Sequence, residues 1–122
     1  MISFERFIIE DGSPIYIQII EFLKKNIVSG LIVNGDELPS RRVLSSLLGV
    51  NPNTVQKAYR ILEEEGLIES HSGAKSYVVL ENETVDKLKN QMLESDATSV
   101  INSLKQMGIS KKEALSLIEK YW

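Results

Sequence analysis

The 122-residue chain carries a formal net charge of −3, with 43% hydrophobic and 25% charged residues, a composition typical of a soluble globular protein. It contains no cysteine and a single histidine, His71, which excludes disulfides, thiolate zinc sites and cysteine nucleophiles and leaves no obvious acid–base pair. No apolar run approaches the roughly 20 residues that span a bilayer, and no signal peptide is visible, so we expect a cytoplasmic protein.

The first third of the chain predicts a short strand followed by one amphipathic helix. Aromatic and β-branched residues in 3–9 favour the strand. Ser13 suits the N-cap of a helix over 14–29, with proline as its first residue. Apolar residues at helical spacing predict one buried stripe, formed by Tyr16, Ile19, Ile20, Leu23 and Ile27. A turn and an extended segment then follow over 34–39.

Residues 40–66 predict two helices joined by a tight turn. Ser40 can cap the first helix and Gly49 can end it, with core positions at Val43, Leu44, Leu47 and Leu48. Asn51 can cap the second, with Pro52 at its first position and a buried stripe of Val55, Ala58, Tyr59 and Leu62. Such a pair is a helix-turn-helix whose second helix is the reading helix.

The outer side of the second helix carries amide, hydroxyl and cationic side chains, namely Asn53, Thr54, Gln56, Lys57 and Arg60. Amides and hydroxyls match base-edge donors and acceptors in a major groove, although a solvated helix face carries a similar mix. Arg41 and Arg42 lie in the first turn of the preceding helix, where cations oppose the helix dipole. Phosphate contacts explain them better, and no acidic residue lies within 38–62.

Two short β runs, 67–70 and 76–80, surround a polar loop and predict a hairpin, which after a helix-turn-helix is a wing. Lys75 is the sole lysine of this loop. The hairpin therefore either contacts DNA beside the reading helix or only closes the domain.

The last third of the chain predicts two more helices. One covers 83–107, with a polar patch at 94–96 that favours a bend, and the other is capped by Ser110 and has Glu113 at the capping-box position. These helices cannot form a core alone, so they fold back on the first 80 residues or pair with a second copy. We favour a homodimer.

The expected fold is therefore mainly α with a small β-hairpin. It consists of a winged helix-turn-helix DNA-binding domain over residues 1–80 and a C-terminal two-helix dimerisation segment over 81–122.

Four runs within 14–80 resemble the winged helix-turn-helix of GntR-type bacterial transcription regulators. They are Pro14-Ile15-Tyr16-x-Gln18-Ile19, Gly35-Asp36-x-Leu38-Pro39-Ser40-x-Arg42, Leu48-Gly49-Val50-Asn51-Pro52-Asn53-Thr54-Val55 and Ala58-Tyr59-x-x-Leu62-Glu63-x-Glu65-Gly66-Leu67-Ile68. The Asn-Pro-Asn-Thr-Val run and the short tail are similar to the YtrA-like branch. The resemblance implies a regulator of double-stranded DNA, usually a homodimeric repressor on a palindromic promoter site, often governing its own operon and neighbouring transporter genes.

The resemblance also implies roles for particular residues. It places the phosphate-binding arginine at Arg42, the contacts of the reading helix at Asn51, Asn53, Thr54 and Gln56, and the wing-tip contacts at Ser72 and Gly73. Together with the cationic segment, the expected DNA-contacting set is Ser40, Arg41, Arg42, Asn51, Asn53, Thr54, Gln56, Lys57, Ser72, Gly73 and Lys75.

Two departures from the family pattern change what is expected. The family wing usually has basic residues followed by Gly-x-Gly-Thr-Phe, whereas here the arginines are absent and Lys75 replaces the second glycine, which weakens the case for insertion into the minor groove. Gln56 stands where other branches carry an arginine. Because glutamine pairs with adenine and arginine favours guanine, we expect a less G-rich operator.

Other functions are less well supported. A winged-helix module that binds protein or RNA is the alternative, favoured by the acidic balance and the weak wing but opposed by the cationic 38–62 segment. An enzyme would lack a plausible set of catalytic groups, and we expect no cofactor or metal. A tail of about forty residues leaves little room for a pocket, so we expect no small-molecule effector, or one bound at the dimer cleft.

Overall fold

The computed structural model describes residues 1–71 and 75–122, which form five α-helices and three short strands. In chain order these are α1 (Ile15–Val28), β1 (Glu37–Leu38), α2 (Arg41–Leu48), α3 (Pro52–Glu64), β2 (Ile68–Ser70), β3 (Ser76–Val78), α4 (Asn82–Gln106) and α5 (Lys111–Tyr121). The chain divides into two compact units, Met1–Asp86 and Lys87–Trp122. The expected fold class, mainly helical with a winged helix-turn-helix, is confirmed.

Helix α1 buries most of its predicted stripe but begins differently from the prediction. Ile19, Ile20, Leu23 and Ile27 are buried, and Tyr16 is half-buried. The expected cap at Ser13 is wrong: Pro14 occupies the N-cap position, with ψ at 141° and no side-chain cap. The carbonyl of Ser13 instead accepts a 2.8 Å hydrogen bond from the side-chain amide of Gln18, which ties the incoming segment to the helix.

The N-terminal segment does not form the strand predicted for residues 3–9. Phe4, Phe7 and Phe22 pack their rings together instead, with centroids 5.1 to 5.8 Å apart. The N–H of Phe7 donates to the carbonyl of Phe4, which makes a turn where extended backbone was expected. Because aromatic rings gain more from packing on α1 than from an isolated edge pairing, the segment adopts the turn.

Helix α2 has the predicted ends but a rotated buried face. The hydroxyl of Ser40 accepts a hydrogen bond from the N–H of Val43, and Gly49 ends the helix at φ 66°. Leu44 and Ser45 are buried, whereas Val43 and Leu47, expected in the core, are exposed. The Ser45 hydroxyl can be buried because it donates a 2.9 Å hydrogen bond to the carbonyl of Arg42.

Helix α3 is the centre of the first unit and packs against α1, α2 and β2. The carbonyl oxygen of the Asn51 side chain caps it, and Pro52 is its first residue, as predicted. All four residues of the expected stripe are fully buried, namely Val55, Ala58, Tyr59 and Leu62. Gly66 follows the helix at φ 77° and turns the chain into β2.

The small sheet contains the predicted hairpin and one strand that was expected only as extended chain. Strand β3 pairs antiparallel with β2 on one side and with β1 on the other. Glu69 faces Tyr77 in the hairpin, and Glu37 also pairs with Tyr77 from the opposite edge. The sheet therefore joins the chain ahead of α2 to the hairpin that follows α3.

The second unit contains most of α4 and all of α5. Helix α4 is uninterrupted across the polar patch at 94–96, where a bend was expected. Ser110 caps α5 by accepting a hydrogen bond from the N–H of Glu113, as predicted. The large apolar side chains of α5 and of the residue that follows it are exposed, namely Leu115, Leu117, Ile118, Tyr121 and Trp122. No helix within the described ranges is long and apolar enough to cross a membrane.

Candidate nucleic-acid interface

The first turns of α3 present polar side chains outward. Asn53, Gln56 and Lys57 are exposed, and Thr54 is half-buried. The side-chain oxygen of Asn51 accepts a 2.8 Å hydrogen bond from the N–H of Asn53, so its amide NH₂ is the group left to donate. The amides of Asn53 and Gln56 can each donate and accept, which is the pattern that pairs with an adenine edge.

The buried side of α3 fixes the direction in which those groups point. Tyr59 is fully buried, and its hydroxyl donates a 2.7 Å hydrogen bond to the carbonyl of Pro39. Burial raises the pKa of Tyr59, and the nearby charge of Arg41 lowers it by less. The phenol therefore stays protonated at neutral pH and remains a donor.

Helical spacing predicts only that Lys57 lies on the outer side of α3, and in the structure it also contacts α1. Its ammonium nitrogen sits 4.1 Å from the centroid of the Tyr16 ring, which is a cation–π distance. The pair bridges the first turn of α1 and the second turn of α3. The cation is consequently held at one edge of the polar face, beside Asn53 and Gln56.

The two arginines that open α2 lie in different surroundings. Arg42 is exposed, and its side chain makes no ion pair or hydrogen bond with the part of the chain that the structure describes. Arg41 is half-buried, with its guanidinium carbon 5.4 Å from the centroid of the Tyr59 ring. Its Nη2 donates to the hydroxyl of Ser70 at 3.4 Å. Of the two, Arg42 is the freer cation.

The acidic groups of α3 are held at its far end. Glu63 accepts a hydrogen bond from the N–H of Ser70, Glu64 pairs with Arg60 at 3.9 Å, and Glu65 pairs with Lys24 of α1 at 2.7 Å. A helix rises about 1.5 Å per residue, so these carboxylates lie roughly 16 Å along the axis from Asn53. The polar face at the N-terminal half of α3 therefore has little negative charge near it from its own helix.

The hairpin contributes one described cation to the expected set. Lys75 is exposed, and its carbonyl accepts a 2.9 Å hydrogen bond from the N–H of His71. His71 lies 3.7 Å from a carboxylate oxygen of Glu69 and packs edge-on against Tyr77. The expected wing-tip residues Ser72 and Gly73 lie outside the described residues.

Three residues at this face have no functional role that the sequence pattern predicts. The pattern places Tyr16 and Tyr59 only in buried stripes, and Ser70 only in a strand. An amphipathic tyrosine at the border of a stripe is the available signal for Tyr16, because its ring can receive a cation from a neighbouring helix. Within residues 1–71 and 75–122, no group of three His, Cys, Asp or Glu side chains could hold a metal.

Comparison with known proteins agrees with this geometry. Residues 15–78 match the sequence family described as bacterial regulatory proteins, gntR family, and this match spans the chain from α1 to β3. The chain belongs to the GntR family. The resemblance noted in the sequence is thereby confirmed, and the family's DNA-binding domain matches residues 15–78, which include α2 and α3.

Two Bacillus subtilis proteins are similar to this GntR-family chain over most of their length. The uncharacterized HTH-type transcriptional regulator YhcF is 30% identical, with 92% of this chain and 93% of that protein covered. The HTH-type transcriptional repressor YtrA is 38% identical, with 89% of this chain and 79% of that protein covered. The chain is accordingly a YtrA-like member of the GntR family and a transcriptional regulator.

Solved structures extend the comparison to the whole fold. A GntR family transcriptional regulator from Listeria monocytogenes is 32% identical and superposes with a TM-score of 0.82, covering 93% of this chain and 100% of that one. The DNA-binding domain of AraR, solved in complex with its operator ORE1, is 29% identical with a TM-score of 0.51, covering 56% of this chain and 83% of that one.

Proposed function

We propose that this GntR-family regulator is a homodimeric repressor that occupies a palindromic promoter site and blocks polymerase. The observation that carries the proposal is the outward face of α3, where Asn53, Gln56 and Lys57 are exposed and no acidic residue lies within 38–62. AraR, a similar domain, is bound to operator DNA in its structure, which supports the same use of the fold here.

Base readout is assigned to the first turns of α3. Asn53 and Gln56 have free amides that suit adenine edges, and Thr54 can approach a base or a thymine methyl group. Asn51 would contribute through its NH₂, since its oxygen already caps the helix. We propose that these four side chains carry sequence specificity.

Phosphate contacts are assigned to groups that surround this face. Arg42 is exposed at the start of α2, and the Ser40 hydroxyl, whose oxygen caps the helix, can still donate its proton. Lys57 approaches from the α1 side and Lys75 from the hairpin. Arg41, the remaining cation of the expected DNA-contacting set, is half-buried over the ring of Tyr59 and donates to Ser70. Such contacts fix the register of a protein on DNA and make its affinity fall with salt.

Dimerisation is assigned to the tail. We propose that residues 1–80 are the DNA-binding domain and 81–122 the dimerisation segment. Support comes from exposed apolar side chains on α4 and α5, which include Ile101, Leu115 and Ile118. Contiguous exposed apolar surface marks interaction sites, and a two-fold dimer would place two reading helices about 34–36 Å apart on one palindrome.

The proposed function includes neither catalysis nor a separate effector-binding domain. The relatives compared above are transcriptional regulators, and we propose that this chain is likewise not an enzyme and works in the cytoplasm on promoter DNA. A short tail supports regulation without a small-molecule effector, or with one bound where two copies meet.

Selection from a pool of random duplexes tests this proposal whatever the operator sequence is. Purified full-length protein should enrich a palindrome whose half-sites are separated by about one helical turn. A matched pool of RNA hairpins serves as the control. Enrichment of RNA alone would favour the interaction-module alternative, and enrichment of a single, unrepeated half-site would contradict the dimer.

A further inference from the structure

We propose that Arg41 is a positioning residue that holds the β2–β3 hairpin against α3, and that it is not a phosphate anchor. The expected effect on DNA affinity rests on the proposed function, in which the hairpin and α3 both contact the same stretch of duplex. Its structural part concerns the free protein alone.

The Arg41 side chain joins three elements. It starts in the first turn of α2, lies over the ring of Tyr59 in α3 at 5.4 Å, and reaches Ser70 at the end of β2 with a 3.4 Å hydrogen bond. A planar guanidinium can stack on an aromatic face and donate from its edge at the same time, whereas an ammonium has a single nitrogen for both contacts. The geometry uses both properties of arginine.

The surface that receives Arg41 is itself fixed. Tyr59 is fully buried and its hydroxyl donates a hydrogen bond to the carbonyl of Pro39, so its ring is held in place beneath the guanidinium. Ser70 donates its N–H to Glu63 of α3, and its hydroxyl lies 3.4 Å from that of Ser76 in β3, which is 1% exposed. The arginine therefore ends on the residue that already connects α3 with both strands of the hairpin.

The state of the guanidinium also distinguishes Arg41 from a phosphate anchor. Its Nε is buried and has no hydrogen-bond partner within the described residues. Arg42, one position along, is exposed. Reaching outward to a phosphate would cost Arg41 its contact with Tyr59 and its bond to Ser70, whereas Arg42 would give up nothing comparable. These surroundings therefore suit Arg41 to a positioning role and Arg42 to a phosphate contact.

Charge-conserving substitutions separate the two roles. A phosphate anchor tolerates lysine as a point charge, whereas the stacked and hydrogen-bonded position requires the guanidinium plane. We expect Arg41→Lys to weaken binding to the selected duplex about fivefold, and Arg42→Lys to weaken it less than Arg41→Lys does, because the lysine keeps a point charge at the phosphate. Neither should alter the slope of log affinity against log salt, because the charge is retained.

Ser70→Ala removes the hydrogen-bond partner without touching charge, and Ser76→Ala removes only the contact between the two hydroxyls. We expect Ser70→Ala to weaken binding about as much as Arg41→Lys does. The variant that combines Arg41→Lys with Ser70→Ala should bind DNA no more weakly than either single variant, because both changes break the same contact. Ser76→Ala should weaken binding less than Ser70→Ala does, because Arg41 keeps its hydrogen-bond acceptor.

Amide hydrogen exchange in the DNA-free protein gives the second readout. The N–H groups of Ser70 and His71 donate to Glu63 and Lys75, so they report on the hairpin. Both N–H groups should exchange at least about threefold faster in Arg41→Lys than in wild type. Their exchange rates should be unchanged in Arg42→Lys. Unchanged exchange in Arg41→Lys would overturn the inference even if wild type bound no DNA.

The binding data can overturn it separately. Wild-type affinity in Arg41→Lys, together with a salt slope lowered by about 0.9 in Arg41→Gln, would make Arg41 a phosphate anchor. Absence of any binding by wild type would contradict the proposed function instead, and leave the exchange result to decide the positioning role.

Discussion

The hydroxyl of Tyr59, in the middle of α3, donates a 2.7 Å hydrogen bond to the backbone carbonyl of Pro39, at the entrance to α2. The two residues are twenty positions apart, and both the ring and the hydroxyl are removed from water. This one bond ties α3, the proposed reading helix, to the segment that leads into α2. The relative placement of α2 and α3 therefore depends on a side chain that no DNA would touch.

Tyr59→Phe should destabilise the protein by about 1–3 kcal/mol, because it leaves the buried carbonyl of Pro39 without a donor. Urea unfolding of the full chain measures this loss. Tyr16→Phe is the matched control, since it deletes the hydroxyl of a half-buried tyrosine and should change stability by less than about 0.5 kcal/mol. Equal stabilities for the two variants would contradict the role of the bond.

Gly49→Ala should cost about 1–2 kcal/mol through the backbone alone. Gly49 has φ at +66°, a conformation that side chains with a Cβ adopt at a cost, and no atom lies within 4 Å of where a Cβ would be. Gly49→Asn should cost less, because asparagine tolerates this region. Urea unfolding of both variants tests the order. A Gly49→Ala protein as stable as wild type would show that the turn can change its conformation.

Gln56 should prefer adenine at the base it faces. Its amide is exposed at the outer face of α3 and can donate and accept together. Gln56→Arg should move the preference toward guanine by about 1–3 kcal/mol in a base-substitution series on the selected duplex. A requirement for guanine opposite wild-type Gln56 would reject this assignment.

Replacing Leu115 and Ile118 by lysine should convert a dimer into a monomer. Both side chains are about half exposed on the apolar face of α5, with Trp122 beside them fully exposed. Burying a lysine charge in an apolar contact is costly unless the charge is paired. Sedimentation velocity at micromolar concentration is the measurement.

Ser116→Lys is the control for that experiment, because Ser116 lies on the polar side of the same helix. It should remain dimeric. A wild-type protein that sediments as a monomer, or a double variant that stays dimeric, would contradict the assignment of the tail.

Local signals account for the parts of the fold that the sequence predicts well. The caps Ser40, Asn51 and Ser110 act within one turn of their own helix, so their chemistry can be read from neighbouring residues. The stripe of α3 is long enough for its period to be unambiguous. An eight-residue helix such as α2 allows two choices of face, and the apolar count favoured Val43 and Leu47 over the hydrogen-bonded Ser45.

Partners that come from distant segments could not be predicted. Strand β1 has two residues and exists only because β3 lies beside it, and the aromatic packing of Phe4 and Phe7 requires Phe22 of α1. The same holds at the candidate site. Sequence identifies Arg41 and Lys57 as cations, but the rings of Tyr59 and Tyr16 that receive them come from other helices.

Fluorescence anisotropy on the selected duplex tests the central claim, that α3 reads DNA, most directly. Wild type should bind saturably and lose at least about tenfold in affinity between 50 and 200 mM salt. Gln56→Ala combined with Lys57→Ala should abolish this binding. Lys105→Ala combined with Gln106→Ala, which removes the same two groups from exposed positions in α4, should preserve it. If the α3 variant bound as tightly as wild type, α3 would not be the reading helix.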